Sequence, residues 1–132
     1  MTKELVLVDT SIWIDCFDKR VDPKVKTKLE TLLLEQQAVI TPLIQLELLG
    51  GAPNEKEYEK LKQDLEALPQ LDLVSQVWSS ACRLSFQLRR SGLTIPNANI
   101  LLSALVLHYR CQLWHRDRHF ELIAKHADLR FY

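Results

Sequence analysis

Asp9 closes the apolar run Leu5-Val6-Leu7-Val8 and opens the turn Thr10-Ser11-Ile12-Trp13. A buried strand that delivers a carboxylate at its carboxyl end is how open α/β sheets place reactive groups, because ligands enter the crevice outside those ends. Asp9 is therefore a candidate metal-binding or catalytic residue. The competing reading is a helix cap, since Asp and Ser both satisfy the orphan N–H groups of a first turn. A second acid follows a second apolar stretch, Gln112-Leu113-Trp114, in the segment Arg116-Asp117-Arg118. If both stretches are parallel strands, Asp9 and Asp117 share one edge of a sheet despite their separation in sequence. Glu47, flanked by Leu46, Leu48 and Leu49, is a third candidate, against the plainer reading of a Glu at the solvent edge of its helix. Carboxylates gathered in one cleft repel by roughly 4 kcal/mol per pair at 4 Å for an effective dielectric of 20, so a cluster demands a cation or raised pKa values. Oxygen ligands without a Cys or His grouping favour Mg²⁺ or Mn²⁺ over zinc.

The elements that must position these acids are legible as apolar periodicity broken by caps. Strands are expected at 5–8, 38–40, 71–74 and 112–114, with an edge strand at 129–132. Helices are expected at 11–17, from Asp22-Pro23 to about 37, from Thr41-Pro42 to Gly50-Gly51, at 54–68, from a Ser75 cap to 91, at 97–109 and at 119–126. Pro23 and Pro42 suit the first position of a helix, and the Leu- and Ala-rich stretch at 97–109 should be largely buried. Strands separated by helices, with no hairpin signal between them, predict a mainly parallel sheet flanked by helices on both faces.

The chain has 132 residues, 47% of them apolar, which bounds it to one domain, 1–132, with a core that needs no disulfide. Seventeen basic residues balance seventeen acidic ones, so contact with nucleic acid must come from a local patch rather than a global field. Cys16, Cys82 and Cys111 lack the paired spacing of a zinc site and read as small core residues in a reducing compartment. The segment Met1-Thr2-Lys3-Glu4 carries no leader signal and no apolar stretch reaches membrane-spanning length. A cytoplasmic protein without membrane contact is expected.

Four segments together carry a resemblance: Val8-Asp9-Thr10-Ser11, Leu46-Glu47-Leu48-Leu49-Gly50, Thr94-Ile95-Pro96 before a buried helix, and Arg116-Asp117-Arg118-His119-Phe120. Their order and spacing, over almost the whole chain, resemble the PIN domain, and within it the VapC-type toxins of bacterial toxin-antitoxin pairs. The resemblance implies an α/β fold of a single PIN-like domain, and a metal-dependent endoribonuclease that cuts RNA through an activated water. It also implies inhibition by a cognate antitoxin gripped near the helices at 23–37 and 54–68, and a homodimer. By motif, Asp9 is the first metal ligand, Glu47 the second acid and Asp117 the fourth, with Mg²⁺ or Mn²⁺ as cofactor.

The third acid of the family falls on Asn99, and many relatives carry a further acid at the position of Asn97. His119 likewise stands where an acid is common. Asn keeps the size and carbonyl oxygen of Asp without its charge, so it can line the pocket while holding an ion less well. Isosteric replacement that silences a toxic nuclease and natural loss of the site are both open explanations. Asn97 as a simple helix-start residue is a third. Thr10 and Ser11 are possible supports for Asp9 or the ion, and Arg83, Arg89, Arg90, Arg116 and Arg118 are candidates for phosphate contacts. Trp13 is either a base-stacking platform or a packing residue against the second helix. The alternative function is a PIN-fold protein that no longer cleaves and acts by binding RNA or an antitoxin. A phosphatase-like hydrolase is disfavoured, because no Gly-rich loop follows a strand.

Overall fold

A computed structural model of the chain describes residues 3–18 and 20–132. Met1, Thr2 and Lys19 lie outside the described residues, so the reading of the segment 1–4 rests there on sequence alone. Three short strands, β1 (Val6–Val8), β2 (Ala38–Val39) and β3 (Gln112–Trp114), form a parallel sheet in the order β2-β1-β3. Val6 pairs with Ala38 on one side and Gln112 on the other, and Val8 reaches Trp114. Seven helices are described: α1 (Thr10–Phe17), α2 (Pro23–Leu34), α3 (Pro42–Gly50), α4 (Glu55–Glu66), α5 (Ser75–Arg90), α6 (Asn97–Tyr109) and α7 (Arg118–Ala124). The α/β expectation holds.

All three residues of β1 are inaccessible to solvent, so the central strand is covered on both faces. One helical group joins α1 to α2 and α3, and α3 to α4; another joins α5 to α6 and α6 to α7. Eight consecutive residues of α6, Asn99 through Val106, are buried. That is why this helix is apolar all round instead of amphipathic. Its neighbour α5 shows the opposite pattern, turning Val77, Ala81, Leu84 and Leu88 inward and leaving Trp78, Cys82 and Phe86 exposed. Each fully buried Leu or Ile contributes about 1.5–3 kcal/mol.

Several local expectations change. The segment 71–74 makes no strand; a single bridge pairs Ile40 with Gln70 just before it, and the Leu71 N–H donates to the Ile40 carbonyl at 2.7 Å. The Leu71 carbonyl accepts from Thr41 Oγ1 at 2.9 Å, and the Asp72 carbonyl from the Tyr109 hydroxyl at 2.8 Å. Side chains from elsewhere thus take the acceptors that a strand ladder would use. Thr41 holds the cap position of α3 but spends its hydroxyl on Leu71, leaving no side-chain cap bond. The expected edge strand at 129–132 is reduced to one bridge, Leu113 to Phe131, in which the Leu113 N–H donates to the Arg130 carbonyl and the Leu113 carbonyl accepts from the Tyr132 N–H. Ser75 is the first residue of α5, with Val74 in the cap position. α2 stops at Leu34 because Gln36 takes a positive φ of 57°, which reverses the chain toward β2. Cys111 is buried and Cys16 half-buried, but Cys82 is exposed and is not a core residue.

Candidate active site

The parallel sheet brings the carboxyl ends of β1 and β3 side by side, and the Asp9 N–H still donates to the Trp114 carbonyl at 3.0 Å. Asp9 is 7% exposed and caps α1: its Oδ2 accepts from the Ser11 N–H at 3.1 Å and from Ser11 Oγ at 2.6 Å. Capping occupies one carboxylate oxygen only. The cap and site readings of Asp9 are therefore compatible. Ser11 Oγ also accepts from the Arg116 N–H at 3.0 Å, and the Arg116 guanidinium pairs with Asp15 Oδ2 at 2.5 Å. This double clip ties the β3–α7 loop to α1 and sets Asp117 beside the Asp9 turn.

Asp117 caps α7, its Oδ1 accepting from the His119 N–H at 3.0 Å and lying 2.8 Å from His119 Nδ1. Its Oδ2 accepts from Asn99 Nδ2 at 2.9 Å. Burial pushes the Asp117 carboxyl up, but the bonds from Asn99 and His119 outweigh it and hold it below the usual carboxylate range. Behind it, the Asp117 N–H donates to His115 Nδ1 at 3.0 Å, which places the His115 proton on Nε2, facing Glu121 Oε1 at 3.3 Å. The His115 ring packs against Phe120 and Phe131. Glu47 is exposed on α3 and accepts from Thr10 Oγ1 at 2.9 Å. Consecutive hydroxyls, Thr10 and Ser11, thus hold different acids.

Asp9, Glu47, Asn99 and Asp117 are in this way joined through short hydrogen-bonded steps at one edge of the sheet. The remaining candidates divide. Arg116 is engaged with Asp15 and is a loop anchor, not a free phosphate contact. Arg83, Arg89, Arg90 and Arg118 are exposed, with Arg90 lying over the Phe86 ring at 5.8 Å. Asn97 is exposed at the first position of α6; Pro96 holds the cap position and no side-chain cap bond forms, so the helix-start role is not a capping one. Trp13 is 7% exposed and its Nε1 donates to the Val8 carbonyl at 3.1 Å, which removes it as a base platform. The sequence reading did not single out Asp15, His115 or Ser103. Ser103, one turn beyond Asn99 on α6, has a buried hydroxyl without a partner; a small polar residue inside an apolar helix was its only signal.

Among the described residues, no three of His, Cys, Asp and Glu gather closely enough to hold an ion by themselves. The donors at hand are the carboxylates of Asp9 and Asp117 and the amide oxygen of Asn99, all hard oxygens. Mg²⁺ commonly keeps several waters and binds through one or two carboxylates plus a substrate phosphate. The donor set fits that partial shell and does not make a closed cage.

The PIN domain family model matches residues 6–126. The chain belongs to the PIN domain family. VapC ribonuclease Mb1587 of Mycobacterium bovis is 28% identical to this PIN chain over 129 residues, covering 95% of it and 96% of the relative. Among solved structures, VapBC2 from Rickettsia felis bound to a promoter DNA fragment superposes with a TM-score of 0.80 at 21% identity, covering 97% of each chain. DNA-bound VapBC from Salmonella typhimurium gives 0.79 at 16% identity over 98% of each. At such identities these structures show the PIN fold alone.

Proposed function

We propose that this PIN domain chain, read as one domain over 1–132, is a VapC-type endoribonuclease toxin. The observation that carries the reading is the hydrogen-bonded chain from Glu47–Thr10 through Asp9–Ser11–Arg116 to Asp117–Asn99, built at the edge where an α/β sheet binds ligands. The family match and the relatives named ribonuclease support it. Mg²⁺ or Mn²⁺, held by Asp9, Asp117 and the Asn99 oxygen, would polarise the scissile phosphate and lower the pKa of an attacking water. Ser11 orients Asp9, and Asn99 and His119 keep Asp117 ionised. Thr10 holds Glu47 at the rim, where it can accept a proton from water. Arg89 and Arg90 end α5 just before the turn into α6, the helix whose first turn carries Asn99, and are suited to the RNA backbone.

The partner is an antitoxin. A groove of about 690 Å³ runs between α1, α3 and α4, lined by Ile14, Phe17, Leu48, Pro53 and Leu61 and reaching Glu47. Ile14 and Phe17 are both more than half exposed, as expected of a surface awaiting a partner. Of the two helices expected to grip the antitoxin, α4 contributes to this groove and α2 does not. Trp78, Cys82 and Phe86, spaced four residues apart on the outer face of α5, suit a homodimer contact. No described helix is long and apolar enough to cross a membrane.

The test is cleavage of a labelled RNA panel in Mg²⁺ and in Mn²⁺, with EDTA and Asp9→Asn controls. Ion-dependent cutting lost in the variant supports the nuclease. Binding of RNA or antitoxin without cutting, in this chain and in Asn99→Asp alike, would favour the non-cleaving alternative.

A further inference from the structure

We infer that Asp9, Asp117 and Asn99 take their divalent cation together with the substrate phosphodiester and not ahead of it, the phosphate supplying the negative charge that the Asn99 amide lacks. The inference rests on the nuclease reading above and concerns the order and coupling of binding at that site.

Three observations lead to it. Both oxygens of Asp117 already accept hydrogen bonds, Oδ1 from His119 and Oδ2 from Asn99 Nδ2. The buried Asn99 side chain cannot simply turn over, because that would set its Oδ1 against Asp117 Oδ2, acceptor against acceptor. The Asn99 amide N–H and the His119 ring therefore occupy the two Asp117 oxygens between them. Second, the remaining carboxylate is held elsewhere: Glu47 is bound by Thr10 on the exposed rim, and among the described residues no three His, Cys, Asp or Glu side chains converge. Third, neither Asp9 nor Asp117 is paired with a lysine or arginine among the described residues, so their charge is not already spent.

The charge count then decides the order. Two carboxylates and one divalent ion sum to zero, so the pair holds an ion without the surplus of negative charge that a third carboxylate would add. A phosphodiester brings the missing charge and meets no net repulsion from the loaded pair. Ion and RNA are consequently coupled ligands, and coupling is reciprocal: each raises the affinity of the other by the same factor, about 5- to 150-fold for couplings of ordinary size.

The experiment measures Mn²⁺ binding to the native chain, by titration calorimetry and by the electron-spin resonance of free Mn²⁺, with and without a saturating 2′-O-methyl oligonucleotide of random sequence. Oligonucleotide affinity is measured in Mn²⁺ and in EDTA to close the cycle. At least about tenfold tighter Mn²⁺ binding with oligonucleotide, matched by an equal gain for oligonucleotide with Mn²⁺, is expected. Asn99→Asp should bind Mn²⁺ without oligonucleotide and lose most of the coupling; the native cycle stands even if that variant folds poorly. Oligonucleotide binding with Mn²⁺ affinity unchanged overturns the inference and leaves the nuclease reading intact. No oligonucleotide binding under either condition, with no RNA cleavage, overturns both.

Discussion

At the amino-terminal edge of the sheet Glu4 is paired with Arg130 and Lys3 with Glu35, so these two acids each have a full cationic partner. At the carboxyl edge Asp9, Glu47 and Asp117 are held by Ser11, Thr10, Asn99 and His119, with no lysine or arginine on any of them among the described residues. Hydrogen bonds from hydroxyl and amide groups fix a carboxylate in place without cancelling its charge, whereas an ion pair cancels it; of the partners named at the carboxyl edge, His119 alone is ionisable. A cavity of about 320 Å³ lies at the first edge too, lined by Arg110, Cys111, Asp128 and Arg130. What distinguishes a candidate active site here is thus residual charge held in fixed positions, not the presence of acids or of a hollow.

The sharpest way to break this contrast is to remove charge while keeping the hydrogen bonds. Asp9→Asn retains an oxygen for the Ser11 cap, so stability should move by no more than about 1 kcal/mol, while cleavage should fall at least about 10³-fold. Single-turnover RNA cleavage alongside thermal unfolding separates the two effects. A variant that keeps most of its activity would show that the Asp9 charge is not used.

Removing the positioning hydroxyl comes next in size. Ser11→Ala cuts the link from Asp9 to the Arg116 N–H, and a drop in cleavage of about 10- to 100-fold is expected, with a stability loss of about 1 kcal/mol.

At the opposite edge, burial pushes the Cys111 thiol up to about 11. Because that folded-state value is raised, Cys111 favours the fold fully below the ordinary thiol pKa, and this contribution is lost as pH rises toward about 11. Denaturation midpoints between these limits should therefore fall less steeply in Cys111→Ala than in the native chain. Iodoacetamide at mildly alkaline pH should label the exposed Cys82 and leave Cys111 unmodified, as mass spectrometry of peptides will show. The smallest effect belongs to the compensated pair itself. Glu4→Gln breaks a half-exposed ion pair with Arg130 and should cost less than about 1 kcal/mol, with RNA cleavage unchanged.

Much of the architecture was legible because it follows from local rules. The run at Val6 to Val8, the Pro-initiated helices α2 and α3, the uniformly apolar α6 and the parallel order of the strands all read correctly from periodicity and caps. Two of the misses share one cause, a partner distant in sequence. Thr41 looked like a cap and instead bonds Leu71; the segment after Pro69 looked like a strand and gives its carbonyls to Thr41 and Tyr109. Of the two readings of Trp13 the base platform falls, because its ring is buried and its Nε1 donates to the Val8 carbonyl. Cys82 looked like core, because composition does not say which face of α5 turns inward.

At the candidate site the residue types were readable and their pairings were not. The sequence alone determined that Asp9 and Asp117 follow apolar strands, that Glu47 rides an apolar helix, and that amides stand at 97 and 99. Those statements concern covalent order and side-chain chemistry, which the chain carries before it folds. Only the tertiary structure decided that Asn99 turns its N–H to Asp117, that Ser11 joins Asp9 to the Arg116 backbone, and that Asn97 faces solvent two residues away. Hydrogen-bond partners are chosen by which groups the packed core brings within about 3 Å of one another. That choice belongs to the whole fold and is absent from any single segment.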